Sequence, residues 1–279
     1  MHIPPFDNAN APIVGPDHPV VPLCAFNIVK LAAGESFAST IPGYETCIVP
    51  ATGNVDVQVG LQAFTDIGRR TINVWDAEPE GVYVPTGASA HITARTDAEV
   101  FVAGARCDQV FSAFAVRAGD IDTIQYGSDD TKTHRRIKHI LGAKYHGRVG
   151  RLLVSELYTV GTGGWSGFPS HKHDTDRLPD ETRHDEVYNF RFDPPHGSGV
   201  QMLQRQDGVA GDAYHIVNGS TICLDNGYHP CAVLPGYRMY YFTILAGLSQ
   251  RSLVQYFQPS HAAQIDTIPG IRDMIAAFR

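Results

Sequence analysis

Short apolar runs, interrupted at close intervals by Gly, Pro, Asp and Asn, dominate the chain from residue 19 onward. Some alternate with a period of two. Val55, Val57 and Val59 fall on one face, with Asp56 and Gln58 on the other, the pattern of a strand with one side in a core. Strands are predicted over 19–29, 45–49, 54–59, 71–75, 81–85, 91–94, 99–103 and 109–117. After a break they resume over 151–159, 171–173, 186–192, 199–204, 214–217, 221–224 and 238–245. Helical periodicity is nearly absent until 269–278, where Ile271, Met274, Ile275 and Phe278 share one side. That short C-terminal helix is predicted to cover an open end of a barrel. The chain therefore reads as all-β, two similar barrels in tandem over residues 1–150 and 151–279, without a strict sequence repeat.

The break between the two runs has a different texture. Residues 127–141 are polar and basic with no persistent apolar face, and 104–150 reads as the connection between the barrels, apart from the strand at 109–117. Its cluster Lys132, His134, Arg135, Arg136, Lys138 and His139 offers an anion site. The plainer reading is a solvated linker or a contact between protomers.

Composition narrows the function. With 279 residues, 43% hydrophobic and a formal charge of −7, the chain has no basic footprint for nucleic acid. It lacks an apolar run long enough to span a membrane. The segment Met1–Asp7 has neither the basic nor the apolar region of a signal peptide. Five scattered cysteines, none in a CxxC pair, suggest reduced, buried thiols and a cytoplasmic protein. Exposed strand edges would make a homo-oligomer unsurprising.

The densest chemistry lies in the second half. Residues i and i+2 of a strand leave the same face, so His171 and His173 can converge while Lys172 points away. Glu186 opens the next alternating strand, on one face with Tyr188, Phe190 and Phe192, and a third imidazole, His229, follows Asn226-Gly227-Tyr228. Three imidazoles and a carboxylate suit a divalent transition metal. Taken singly, each histidine reads as a hydrogen-bonded core residue, and Glu186 as an edge carboxylate paired with Arg183 or Arg191.

These residues resemble the cupin superfamily, and the chain as a whole resembles the 5-deoxy-glucuronate isomerases, a two-cupin family of inositol catabolism. The resemblance spans roughly residues 30 to 250. It is carried by 165–174 (Trp-Ser-Gly-Phe-Pro-Ser-His-Lys-His-Asp), 178–182, 186–188, 192–197, 226–230 and 235–241, and in the first half by Arg69-Arg70, 82–87 and 93–100. It implies two jelly-roll-like barrels, with metal ligands on His171, His173, Glu186 and His229. The implied reaction converts 5-deoxy-glucuronate to 2-deoxy-5-keto-gluconate. The metal, whether Zn, Mn, Fe, Ni or Co, would polarise the sugar carbonyl.

Within that reaction Glu186, Tyr188 and Tyr241 are the candidates for proton transfer, and a hydride shift is equally compatible. Arg183, Lys172 and Arg205 are the candidates for the far carboxylate. Two features depart from a generic cupin. The loop Asp174–Asp185 separates the second histidine from Glu186, which favours this family and leaves Glu181 as a competing ligand. Asp225 stands where cupins usually have Pro. The first half has no His-x-His, so its barrel is expected to be metal-free. Competing readings are an isomerase of another uronic or sulfonated hexose, an iron oxygenase, or a non-catalytic sugar-binding bicupin.

Overall fold

The structure, a computed structural model, describes residues 1–278. Two antiparallel β-barrels stand side by side. In the N-terminal one, a five-stranded sheet runs in the order Phe114–Val116, Gly81–Val84, Tyr44–Thr52, Ala98–Arg106, Cys24–Leu31. Its partner sheet has the order Ser36–Ser39, Ala90–Ala94, Val55–Val59, Gln62–Ile67. In the C-terminal barrel the large sheet has seven strands: His2–Ile3, Thr221–Leu224, His184–Asp193, Arg238–Gly247, Leu152–Thr159, Arg135–Leu141 and Asp122–Tyr126. Opposite it lie Gly164–Ser166, Cys231–Val233, Ser198–Leu203 and Asp212–Val217. A two-stranded ribbon pairs His171–Lys172 with Tyr256–Phe257. The all-β, two-barrel cupin architecture is thus as predicted, and the helix of the C-terminal segment spans Ile271–Ala276.

Burial follows the position of each sheet. The two large sheets pack against each other, joining Phe26, Cys47 and Phe101 of one to Val154, Tyr240 and Phe242 of the other in a single core. Each also covers the inside of its own barrel. Buried on both faces, their strands show continuous burial, as in Leu152–Thr159, where all eight residues are buried. The outer sheets have one wet face and alternate, as Val55–Val59 does. All five cysteines are buried and unpaired. No helix among the described residues is long and apolar enough to cross a membrane.

Three expectations change. The segment 71–75 is a turn, because the Asp76 carboxylate accepts the backbone N–H groups of Ile72 (2.6 Å) and Asn73 (3.0 Å) and curls the chain locally. Only Phe114–Val116 of 109–117 is a strand. The stretch expected to connect the barrels instead supplies two strands, Asp122–Tyr126 and Arg135–Leu141, to the seven-stranded sheet. Of its basic cluster, Arg135, Lys138 and His139 are buried, so a solvated linker is not what these residues form. The sheets draw residues 122–141, and His2–Ile3 at the N-terminus, to the C-terminal barrel.

Candidate metal centre

The four side chains singled out for a cation come together at one end of the C-terminal barrel. The ribbon strand brings His171 and His173 to one side, with ring centroids 6.2 Å apart. His229 arrives from the turn before Cys231–Val233, 5.1 Å from the first ring and 4.9 Å from the second. That turn needs Gly227: its φ is +90°, and a Cβ there would lie 2.9 Å from the Gln204 carbonyl oxygen. One nitrogen from each of the three histidines lies within 4.8 Å of the other two. Glu186 joins from the strand His184–Asp193, with Oε2 3.1 Å from His173 Nε2 and 3.3 Å from His229 Nε2.

Hydrogen bonds outside this group set which nitrogen faces inward. His173 Nδ1 donates to the His184 carbonyl (3.0 Å) and His229 Nδ1 to the Gly227 carbonyl (2.7 Å). His171 Nδ1 lies 3.4 Å from the Pro169 carbonyl. An N–H held on Nδ1 leaves Nε2 as the nitrogen available to a metal, as metal-binding histidines require; His173 Nε2 meets Glu186 Oε2 at 3.1 Å. His229 Nε2 is buried without an aligned hydrogen-bond partner, an unmet need that a cation would answer. By donor type and by this orphaned nitrogen, the residues fit a divalent transition metal.

The electrostatics agree. Burial, reinforced by His229 and His173, pushes His171 down to about 3, so its ring is neutral. Burial pushes His173 the same way, but its hydrogen bond to Glu186 and the carboxylate charge outweigh this and raise it. Burial raises Glu186, yet His173 and His229 prevail and hold its carboxyl well below the usual range. Glu181, the competing carboxylate, is occupied elsewhere. It accepts the Asp174 backbone N–H at 2.8 Å and the Arg177 Nε–H at 2.9 Å, closing its own loop.

A cavity of about 40 Å³ adjoins His171, His173 and Glu186. Its polar walls are Tyr188, Tyr241, Thr243 and Gln255, and its apolar walls include Ile137, Leu157, Phe168, Met274 and Phe278. The C-terminal helix therefore closes the barrel end, with Met274 and Phe278 at the cavity. The Tyr188 hydroxyl donates to Glu186 Oε2 at 2.9 Å. The Tyr241 hydroxyl lies 2.7 Å from Ser166 Oγ. Burial, with the Glu186 charge next, holds Tyr188 well above its ordinary pKa, and burial does the same for Tyr241, so both keep their protons.

The three cations expected at the substrate carboxylate do not line this cavity. Lys172, pointing away as strand alternation requires, pairs with Asp174 (2.5 Å) and Glu181 (3.3 Å). Arg183 is half-buried beside Asp185, and Arg205 bonds Asp225 and the Asn226 carbonyl at the surface. The sequence reading also missed Gln255, whose side-chain nitrogen lies 3.0 Å from His171 Nε2. It precedes a two-residue strand, too short for periodicity to reveal.

A model of the KduI/IolB family matches residues 7–264. The chain belongs to the KduI/IolB family. Among curated relatives in that family, the 5-deoxy-glucuronate isomerase of Shouchella clausii is 31% identical over 224 residues, 80% of this chain and 81% of that protein. The Bacillus subtilis (strain 168) enzyme of the same name is 31% identical over 237 residues, 85% of each chain. Among solved structures, an IolB-like protein of Salmonella typhimurium LT2 superposes with a TM-score of 0.79 at 28% identity, covering 86% of this chain and 89% of that one. A Bacillus subtilis oxalate decarboxylase, 9% identical, matches at a TM-score of 0.63 over 95% of this chain and 83% of its own, which shows the shared fold alone. The resemblance read from the second-half motifs and the KduI/IolB assignment agree.

Proposed function

We propose that this chain is a metal-dependent aldose–ketose isomerase that converts 5-deoxy-glucuronate to 2-deoxy-5-keto-gluconate in inositol catabolism. The observation that carries the reading is the convergence of one nitrogen from each of His171, His173 and His229 and the Glu186 carboxylate in one buried cluster, in a chain of this family. His171, His173, Glu186 and His229 would hold the cation. Zn, Mn, Fe, Ni and Co all accept that donor set. When bound, the metal supplies Lewis-acid polarisation of the sugar carbonyl and the adjacent hydroxyl.

The protein's own groups do the rest. Isomerisation moves one proton from C2 to C1 and one between the two oxygens. Glu186 is the one carboxylate among the described residues lining the cavity, and it serves as the carrier between the carbons. Tyr188, protonated, gives its one O–H to Glu186 Oε2 and steadies the carboxylate, and on substrate binding that O–H turns to the sugar oxygens. Tyr241, oriented by Ser166, offers a second hydroxyl at the same wall. The apolar walls keep bulk water from the exposed C–H position, which protects a reactive enediol.

The test is anaerobic incubation of metal-loaded protein with 5-deoxy-glucuronate, followed by NMR. Loss of the aldehyde resonance with growth of a ketone of equal mass is the expected result. A requirement for oxygen would indicate an oxygenase, and binding without turnover a non-catalytic bicupin. Conversion only of a different uronic or sulfonated hexose would move the substrate while leaving the chemistry.

A further inference from the structure

Three arginines among the described residues are deeply buried, and two of them are fully explained. Arg70 forms a two-pronged pair with Glu156, at 2.8 and 2.6 Å. Arg251 donates to the carbonyls of Leu152, Leu141 and Gly142. Arg135 is different. It is 1% exposed, its Nη1 donates to the neighbouring His134 carbonyl at 2.9 Å, and its Nε and Nη2 have no partner among the described residues. The titratable groups felt at its guanidinium are the phenols of Tyr126 and Tyr241 and the thiol of Cys231, all pushed up by burial, and not a carboxylate.

A buried guanidinium whose N–H groups meet neither a counter-ion nor enough carbonyls is costly, because its lost hydration is not replaced. Such a group persists where an anion is brought to it. The strand register says where that anion would come from. Arg135 sits directly opposite Tyr126 on the neighbouring strand and two residues from Ile137, so all three face the barrel interior. Tyr126, Ile137 and Tyr241 all line the cavity beside the candidate metal centre. Arg135 thus lies just behind the cavity wall formed by Tyr126 and Tyr241.

We propose that Arg135 is the substrate-carboxylate anchor of this barrel, receiving the C6 carboxylate through its unpartnered Nε–H and Nη2–H. This rests on the sugar-acid isomerase reading given above and adds the group that fixes which end of the sugar meets the metal. The Nε and one Nη of a guanidinium present two parallel N–H bonds, the geometry a carboxylate accepts best. The hydroxyls of Tyr126, Ser166 and Tyr241 sit at the seam between anchor and cavity. A cavity of about 40 Å³ holds only about three waters, so the wall gives way when a six-carbon acid enters. The C-terminal helix is the element placed to release it, since Gly270 at its start packs on Tyr126.

The experiment compares 5-deoxy-glucuronate with its uncharged C6 carboxamide. kcat/KM is measured for the wild type, Arg135→Gln and Arg135→Lys. Binding of the C1-reduced alditol acid and its amide to metal-stripped protein is measured in parallel by calorimetry. The wild type is expected to favour acid over amide by about 100-fold, the scale of a desolvated charge pair, in both readouts. Arg135→Gln is expected to bring the ratio near one by losing the acid alone, and Arg135→Lys, which keeps the charge without the fork, to fall between.

Equal handling of acid and amide by the wild type overturns the proposal. So does a Gln variant, or a Lys variant if Gln does not fold, that weakens both ligands by one factor and keeps the ratio. If the wild type isomerises neither sugar but binds the alditol acid in an Arg135-dependent way, the isomerase reading falls and the anion anchor stands.

Discussion

A histidine whose Nδ1 hydrogen is engaged by a backbone carbonyl has only its Nε2 lone pair to offer a metal, and three rings here bring one nitrogen each within 4.8 Å of the others. His229 is the most telling of them, since its Nε2 has no aligned protein partner. His229→Ala is expected to weaken binding of a divalent metal by at least about 100-fold, as the loss of metal-centre groups does, measured by competition with a chelator of known affinity. Tyr188 carries a different load. Its hydroxyl touches Glu186 and not the imidazoles, so Tyr188→Phe is expected to retain the metal while kcat falls by about 100-fold. Undiminished kcat in the Tyr188→Phe protein would remove the tyrosine from the chemistry. At this scale the sequence was informative about ligands: the i, i+2 spacing of His171 and His173 and the Gly-Tyr-His turn are local patterns with local geometry. It was poor on cations, because whether an arginine points into a barrel depends on the pairing of strands far apart in the chain.

Among the elements, the strand Arg135–Leu141 was the hardest to read. All of it but Arg136 is buried, yet basic pairs interrupt its aliphatic residues, so neither period-2 nor continuous apolar character appears. Where its polar side chains add little hydrophobic stabilisation, specific contacts hold them: His139 Nδ1 lies 2.9 Å from Ser155 Oγ, and its ring meets the edge of Phe278 at 4.8 Å. Burial pushes His139 down to about 4. It is therefore neutral in the folded chain at pH values where the unfolded chain has begun to protonate it. Its contribution to stability is full above about pH 6.5 and is lost as the pH falls toward 4, by roughly 3 kcal/mol in all. Thermal melts between pH 4 and 7 should show that slope in the wild type and a flatter one in His139→Gln. Identical slopes would mean the ring is not held neutral. The wet-faced strand Val55–Val59 was legible in the sequence for the opposite reason, since one polar and one apolar face leave an alternation that needs no partner to interpret.

Across the whole molecule, the barrels are joined by more than apolar area. Arg70 of the first bonds Glu156 of the second, and the hydroxyls of Tyr158 and Tyr240 close the network on the same carboxylate. Glu45 accepts the backbone N–H groups of Gly150, Arg151 and Leu152. Removing one partner of a buried pair strands the other, at about 3–5 kcal/mol. Arg70→Met is thus expected to lower the calorimetric Tm by about 10 °C in one cooperative transition, and two separated transitions would show that the barrels melt independently. Two tandem barrels were visible in the strand spacing, but this seam between them was not, because its partners lie some eighty residues apart.

The account depends most on the cation. The direct measurement is metal content per chain after reconstitution and exhaustive dialysis, determined by elemental analysis for the wild type and for His171→Ala, His173→Ala and His229→Ala. One divalent transition metal per wild-type chain, and close to none in each variant, is the predicted result. A wild type that retains no metal, or variants that retain as much as the wild type, would contradict it.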